Sequence, residues 1–242
     1  MEPKAVLQQI TREVEVCEKC ELHHSRKKSV PGEGPATAEV MLIGEGPGFY
    51  ENEQGRPFVG PSGQFLDELL QRAGMKRADV FICNVVKCRP PGNRDPQPEE
   101  LAACRPYLER QIEAIDPKVV VTLGRYSMGY FLPNAKISAV HGRPSWVNGR
   151  LIVPMFHPAA ALHQPAYRKD IETDFTNLPH TIENARQKQA SQKAAQASSA
   201  AQPSAAAPKM EQPSLLGDQP QTEPRPEKPA EDNEEPKQLS LF

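Results

Sequence analysis

The stretch VMLIGEGPG, residues 40–48, is a short apolar run that ends in a glycine-rich turn. This order is typical of a buried strand that feeds a loop. Residues 64–73 follow with apolar side chains on one helical face, and further apolar strands are predicted at 80–86 and 119–123. Strands that alternate with helices predict a parallel sheet covered on both faces, with ligands bound beyond the carboxyl ends of its strands.

The flanking segments extend this α/β pattern. Residues 4–16 have a helical apolar spacing, and residues 98–116 are predicted to be helical in two pieces, because Pro106 should interrupt them. Residues 145–147 and 150–153 flank Asn148-Gly149, which is a strong hairpin signal. His157 follows at the end of the second of these strands.

Composition divides the chain into two parts. Residues 187–242 contain eight prolines and a single aromatic side chain, which is too little apolar surface to offset the entropy of ordering. We therefore expect one folded domain at residues 1–186 and a disordered tail at residues 187–242.

Charge and targeting signals narrow the class of protein only a little. The first 186 residues carry equal numbers of basic and acidic side chains, so any nucleic-acid site must be a local basic patch. No apolar run approaches the length of a membrane span, and the N-terminus lacks a signal-peptide core. We expect a cytoplasmic protein, in which stable disulfides are disfavoured.

The five cysteines then need another explanation. Cys17 and Cys20 form a C-x2-C pair, and Cys88 and Cys104 are separated by fifteen residues. Two such pairs can hold a structural zinc ion or a 4Fe-4S cluster, and their spacing does not distinguish the two. Cys83 lies inside a predicted strand and is expected to be a buried, inert thiol.

Four motifs carry a resemblance to a known family: GEGPG (44–48), GRPFVGPSG (55–63), NVVKCRPPGNRDPQPEE (84–100) and MFHPAAAL (155–162). In this order, and together with the cysteines, they resemble family 4 of the uracil-DNA glycosylase superfamily. The resemblance implies a three-layer α/β/α sandwich around a four-stranded parallel sheet. It also implies excision of uracil from DNA, and a 4Fe-4S cluster bound by Cys17, Cys20, Cys88 and Cys104.

The activity implied by this resemblance asks for specific chemistry. Cleavage of the N-glycosidic bond leaves an electron-poor sugar and a uracil anion, so both charges must be stabilised. Glu45 is expected to orient water or to face the sugar cation, and His157 to donate a hydrogen bond to uracil O2. Asn84 can donate to uracil O4 and accept from N3–H, whereas cytosine offers the opposite pattern. Phe58 is expected to stack on the flipped base.

Two glycines depart from the better-known branch of this superfamily. That branch has a water-binding aspartate and a thymine-excluding tyrosine at the positions of Gly46 and Gly48. Glu51 matches a family position to which exclusion of thymine is assigned, and Asn93 is a further candidate for the site.

Several residues are candidates for contact with the DNA, single- or double-stranded. Leu162 follows the histidine motif and is expected to fill the gap that the flipped base leaves. The candidates for phosphate contacts are Lys87, Arg89, Arg94 and Arg143. The enzyme is expected to act as a monomer.

The chain ends in an apolar cluster that follows an acidic, proline-rich stretch. It resembles the peptide by which bacterial repair proteins dock on the sliding clamp, with Gln238, Leu239, Leu241 and Phe242 as the contacting residues.

Two other functions are compatible with parts of the sequence. One is a non-catalytic iron–sulfur module that binds DNA and is recruited through the clamp. The other is an electron carrier, which would not need Glu45, Asn84 and His157 together.

Overall fold

The computed structural model describes residues 2–200, with side chains described through residue 192. Five strands form one sheet: β1 (Val40–Gly44), β2 (Phe81–Asn84), β3 (Val119–Leu123), β4 (Ser145–Val147) and β5 (Arg150–Met155). Their order across the sheet is β2-β1-β3-β5-β4. The first four in this order are parallel, and β4 pairs antiparallel with β5. The predicted four-stranded parallel sheet is therefore present, and the predicted hairpin adds a fifth, antiparallel strand at its edge.

The α-helices of the described residues are α1 (Pro3–Glu15), α2 (Leu22–Ser25), α3 (Phe49–Gln54), α4 (Pro61–Arg72), α5 (Pro98–Ile115), α6 (Arg125–Phe131), α7 (Ile137–Val140), α8 (Pro158–His163) and α9 (Ala166–Ala200). Two short 3₁₀ turns cover Arg77–Asp79 and Pro91–Asn93. In residues 2–200 no helix is both long enough and apolar enough to cross a membrane.

The sheet separates two apolar layers, as the sequence predicts. Because side chains alternate along a strand, Leu42 packs with residues of α4, α8 and α9 on one face. Met41 and Ile43 pack on the other face with residues of α5 and α6. Helix α1 packs against α5. The result is the expected α/β/α sandwich.

Two helices differ from the sequence-based expectation. Helix α5 runs unbroken through Pro106. The proline removes one backbone donor, and burial of side chains such as Leu108 and Ile112 on the sheet outweighs that loss. Helix α9 continues to Ala200, beyond the predicted domain boundary at residue 186, where the sequence is rich in alanine and glutamine, which favour helix. The predicted clamp peptide at residues 238–242 lies outside the described residues.

Strand register brings the separated motifs to one edge of the sheet. Gly44 at the end of β1 lies opposite Asn84 at the end of β2. Met155 at the end of β5 lies opposite Leu123 of β3, and His157 follows two residues later. The carboxyl ends of the parallel strands thus face one crevice, which is where ligands bind in such sheets.

Candidate active site

A pocket of about 360 Å³ lies at this edge of the sheet, within the size range of small-molecule sites. Seven of the predicted site residues line it: Glu45, Glu51, Phe58, Asn84, Asn93, Arg94 and His157. Ser62 and His163, which the sequence analysis did not single out, line it as well. Residues from four motifs spread over more than a hundred positions therefore share one cavity.

Asn84 is held at the floor of the pocket with an unsatisfied acceptor. Its side chain is buried, and Oδ1 has no hydrogen-bond partner among the described residues. A Cβ on Gly44 would lie 2.4 Å from this oxygen, so only glycine at that position lets the amide lie against β1. A buried acceptor without a partner is costly, which makes it a candidate to meet a ligand donor.

His157 is fixed as a neutral imidazole. It caps α8, and its Nδ1 accepts a hydrogen bond from the backbone N–H of Ala159 at 3.1 Å. Burial lowers the pKa of the ring to about 4, and the nearby Glu51 opposes this shift. At neutral pH Nδ1 is therefore an acceptor and the ring proton lies on Nε2, where it can be donated.

Glu45 has a strongly perturbed carboxyl group. Burial and, to a smaller extent, the charge of Asp95 raise its pKa to about 7, although Arg125 acts in the opposite direction. No hydrogen bond from the described residues reaches its carboxylate. A carboxyl group whose pKa lies close to neutrality is suited to accept a proton or to orient water.

Phe58 lies in a strained loop conformation. Its φ is +48°, which a bulky side chain rarely adopts. Its ring stacks on the ring of His157, with the centroids 5.5 Å apart and the planes at 28°. Arg77 binds the carbonyls of Pro57 and Phe58 at 2.5 and 3.1 Å and also binds Asp67 at 3.0 Å. The loop is thus held from outside the pocket in the conformation that presents the ring.

The carboxylate of Glu51 links two chain segments, one at Gly48 and one at residues 59–60. One carboxylate oxygen accepts from the backbone N–H of Val59 and of Gly60, each at 2.9 Å, and the other from Gly48 at 3.1 Å. A Cβ on Gly48 would lie 2.8 Å from Glu51 Oε2. The carboxylate of Glu51 therefore occupies space that a side chain at position 48 would need.

One family model and three relatives bear on this pocket. The model of the uracil DNA glycosylase superfamily matches residues 31–177. A type-4 uracil-DNA glycosylase of Saccharolobus solfataricus is 48% identical over 183 residues, which cover 72% of this chain and 85% of that protein. Proteins of the same description from Sulfurisphaera tokodaii and Archaeoglobus fulgidus are 46% and 43% identical, each over 71% of this chain and over 83% and 91% of their own lengths.

The chain belongs to the uracil-DNA glycosylase superfamily. Its relatives place it in the type-4 branch. Every residue that lines the pocket lies inside the span that matches the superfamily, whereas Cys17 and Cys20 precede that span.

The arginines proposed for DNA contact differ in their surroundings. Arg89 does not line the glycosylase pocket, but it donates to Oδ1 of the pocket residue Asn93 at 2.8 Å. Arg94 forms a two-point ion pair with Glu100, at 2.9 and 2.6 Å. Arg143 is exposed in the turn before β4 and does not line the pocket. Leu162 is 47% exposed on α8, between pocket residues Ala160 and His163.

The prediction that Lys87 contacts a DNA phosphate requires a correction, because the Lys87 side chain is buried. Its ammonium group donates to the backbone carbonyl of Asn84 at 2.7 Å and to Gln111 Oε1 at 2.6 Å. The ammonium is therefore not available to bind a DNA phosphate. It supports the backbone that carries Asn84.

Four of the five cysteines lie on the side of α5 near α2. Cys88 and Cys104 are buried in one small cluster with Leu22, against which Cys20 packs. Cys17 packs beside Tyr107. Burial raises the pKa of the Cys104 thiol to about 11, although the neighbouring Lys87 acts in the opposite direction. Within residues 2–200 no group of three or more His, Cys, Asp and Glu side chains is placed to hold a single metal ion.

Arg26 adds a cation to this group of thiols. Its guanidinium donates to the backbone carbonyl of Cys17 at 2.5 Å and approaches Cys88 Sγ at 3.6 Å. Cys83 is separate from them and fully buried, as expected from its place in β2.

Proposed function

We propose that this chain flips uracil out of DNA and hydrolyses its N-glycosidic bond, leaving an abasic site. The observation that carries the proposal is the unpartnered Oδ1 of Asn84 in a pocket that it shares with Glu45 and His157. The superfamily membership of the chain supports the same reaction.

Base reading is assigned to Asn84. Its Oδ1 accepts from uracil N3–H and its amide nitrogen donates to O4, so cytosine would place an acceptor against Oδ1 and a donor against the amide N–H. Phe58 stacks on the base. Glu51 excludes thymine by filling the space beside Gly48, and its backbone hydrogen bonds keep it there.

The reaction is assigned to two residues that act in different protonation states: His157 keeps a ring proton that it can donate, whereas Glu45 must be deprotonated. Neutral His157 donates from Nε2 to uracil O2 as negative charge develops on the departing base. Glu45 acts as the carboxylate, which orients water and faces the positive charge on the sugar. DNA is positioned by Arg89, Arg94 and Arg143, and Leu162 replaces the flipped base in the stack.

Cys17, Cys20, Cys88 and Cys104 are proposed as ligands of a 4Fe-4S cluster. These four residues would supply the four thiolates by which such a cluster is held. The guanidinium of Arg26 beside Cys88 would favour thiolates over thiols. When bound, the cluster would cross-link the segment before α2 to α5. No catalytic step needs it.

The cysteine proposal is tested by colour and metal content. Cys17→Ala and Cys104→Ala should lose both the absorbance of the cluster at about 400 nm and soluble yield, because thiolate-bound iron absorbs there. Cys83→Ala is the matched control and should keep both. A colourless wild-type protein that contains one zinc ion would contradict the cluster.

One macromolecular partner besides DNA is proposed, the sliding clamp. The C-terminal residues Gln238, Leu239, Leu241 and Phe242 are proposed to dock on the sliding clamp of a bacterial replication system. The catalytic domain is proposed to act as a monomer in the cytoplasm. The electron-carrier and non-catalytic alternatives give no reason for the Asn84 pocket.

The reaction is tested by product analysis on labelled oligonucleotides with a single U:G pair, a U:A pair or an unpaired uracil. Free uracil and an abasic strand should appear in equal amounts, while the matched thymine and cytosine strands stay intact. Strand binding without release of uracil would support the non-catalytic alternative instead.

A further inference from the structure

Two large aromatic side chains are exposed next to the mouth of the pocket. Phe49 is 52% exposed and Tyr50 is 49% exposed, and both follow directly on the pocket residue Gly48. Their rings contact edge to face, with the centroids 5.5 Å apart. Neighbouring exposed aromatics form an apolar patch, which single scattered ones do not.

Arg89 connects this patch to the rim of the pocket. Its guanidinium carbon lies 5.4 Å from the centroid of the Phe49 ring, and its Nε donates to Asn93, which lines the pocket. On the other side, Tyr50 packs onto Gly60, where a Cβ would lie only 2.9 Å from the ring. The aromatic patch therefore adjoins the pocket through Gly48 and through the Arg89–Asn93 hydrogen bond, and its other side lies against Gly60.

The charges around the patch suit a polyanion. The nearest acidic side chains of α3 are already engaged: Glu51 binds backbone N–H groups, and Glu53 is paired with Lys27. The cation of Arg89 lies over the Phe49 ring. Aromatic faces next to a guanidinium are the combination by which proteins hold single-stranded nucleic acid.

We propose that Phe49 and Tyr50 form a stacking platform for the nucleobase that neighbours the flipped uracil, with Arg89 on the intervening phosphate. The proposal rests on the function proposed above. When uracil leaves the stack, the neighbouring base loses its partner on one side, and an aromatic ring can replace it. In a duplex that base remains paired, so the platform should contribute most on single strands.

The test measures binding of single-stranded oligonucleotides that contain 2′-fluoro-2′-deoxyuridine, whose glycosidic bond resists hydrolysis. The double variant Phe49→Leu, Tyr50→Leu keeps apolar volume and removes both aromatic faces. We expect it to bind about five- to a hundred-fold more weakly, as the loss of base–aromatic stacking predicts. Trp146→Leu is the matched control, because Trp146 is a 38% exposed aromatic on β4 that does not line the pocket.

In a second set of oligonucleotides, the neighbouring base is removed while the protein rings are kept. An abasic spacer is placed on the 5′ or the 3′ side of the analogue in turn. Wild type should lose affinity with the spacer on one side, and the double variant should be indifferent to that spacer. Equal losses for both proteins, or none for either, would overturn the platform.

The outcomes separate this proposal from the one on which it rests. If wild type binds the uracil analogue no better than a thymine strand, uracil recognition fails, whatever the spacers show. If uracil is preferred but the double variant matches wild type and Trp146→Leu, the platform alone is wrong. Thermal melting of each variant checks that the fold is kept.

Discussion

At the scale of single residues, the carboxyl group of Glu45 should set the pH dependence of uracil excision. Because the carboxylate is the acting form and its pKa is about 7, excision should rise as the pH rises through 7 and then level off. His157 should add no change in this range, since it is neutral at every pH well above 4. Single-turnover rates between pH 5.5 and 9 measure this profile.

Two surface residues should move that profile in opposite directions. Asp95→Asn removes a negative charge and should shift the midpoint to lower pH, whereas Arg125→Gln should shift it to higher pH. Both side chains are more than half exposed and pair with each other, so the shifts should be small and should shrink in high salt. Shifts in the same direction would mean that Glu45 does not set the midpoint.

At the scale of elements, the loop that carries Phe58 depends on a clamp outside the pocket. Arg77 binds two successive carbonyls of this loop, which Lys in its place could not do with the same fork geometry. Arg77→Met should slow excision about ten-fold or more through displacement of the Phe58 ring, because small misplacements of binding groups are costly.

A double-mutant cycle distinguishes positioning from a general loss of stability. If Arg77 acts through Phe58, Arg77→Met should have little further effect on kcat/KM in a Phe58→Ala background. Arg72→Met is the matched control, because Arg72 ends α4 and its ion pair with Glu172 is long, at 3.6 Å. Additive losses in the cycle would show that Arg77 supports the fold in general.

At the scale of the whole molecule, the core contacts of α9 extend to Ala185 among the side chains described, which reach residue 192. Its buried side chains in the core are Ile171, Phe175, Leu178, Ile182 and Ala185. Truncation after Arg186 should therefore give a folded enzyme with full activity on short oligonucleotides. Loss of thermal stability or of excision would place residues beyond 186 in the functional fold.

The same truncation should remove binding to the sliding clamp. Leu241→Ala with Phe242→Ala in the full chain should do so too, since apolar anchors of this kind are commonly worth about 2 kcal/mol or more each. Size-exclusion chromatography with purified clamp measures the complex. A truncated protein that still co-elutes with the clamp would locate the docking site in the folded domain.

Much of the architecture could be predicted because its signals are local. Apolar runs of strand length gave β1, β2 and β3, and the Asn148-Gly149 turn gave the β4–β5 hairpin. The place of the pocket followed from the parallel direction of the strands, since their carboxyl ends meet at one edge. The local signal of Pro106 was misleading, because tertiary packing outweighed one missing hydrogen bond.

The remaining details depend on partners that are distant in sequence. Lys87 was predicted to contact a phosphate, since lysines are seldom buried. Its partner Gln111 is 24 residues away, and no nearby residue in the sequence indicates that contact. Glu51 binds Val59 and Gly60 across a turn, and only that geometry shows why position 48 is glycine. His163 was missed for a related reason: its place at the pocket follows from the path of α8.

The central claim is that Asn84 reads uracil in this pocket, and one comparison tests it most directly. Single-turnover excision from a U:G duplex is measured for wild type and for Asn84→Asp, whose carboxylate lacks the donor for O4 and repels the developing anion. The account predicts a loss of about a hundred-fold or more, as for removal of a transition-state donor, with DNA binding largely kept. Excision by Asn84→Asp at the wild-type rate would contradict it.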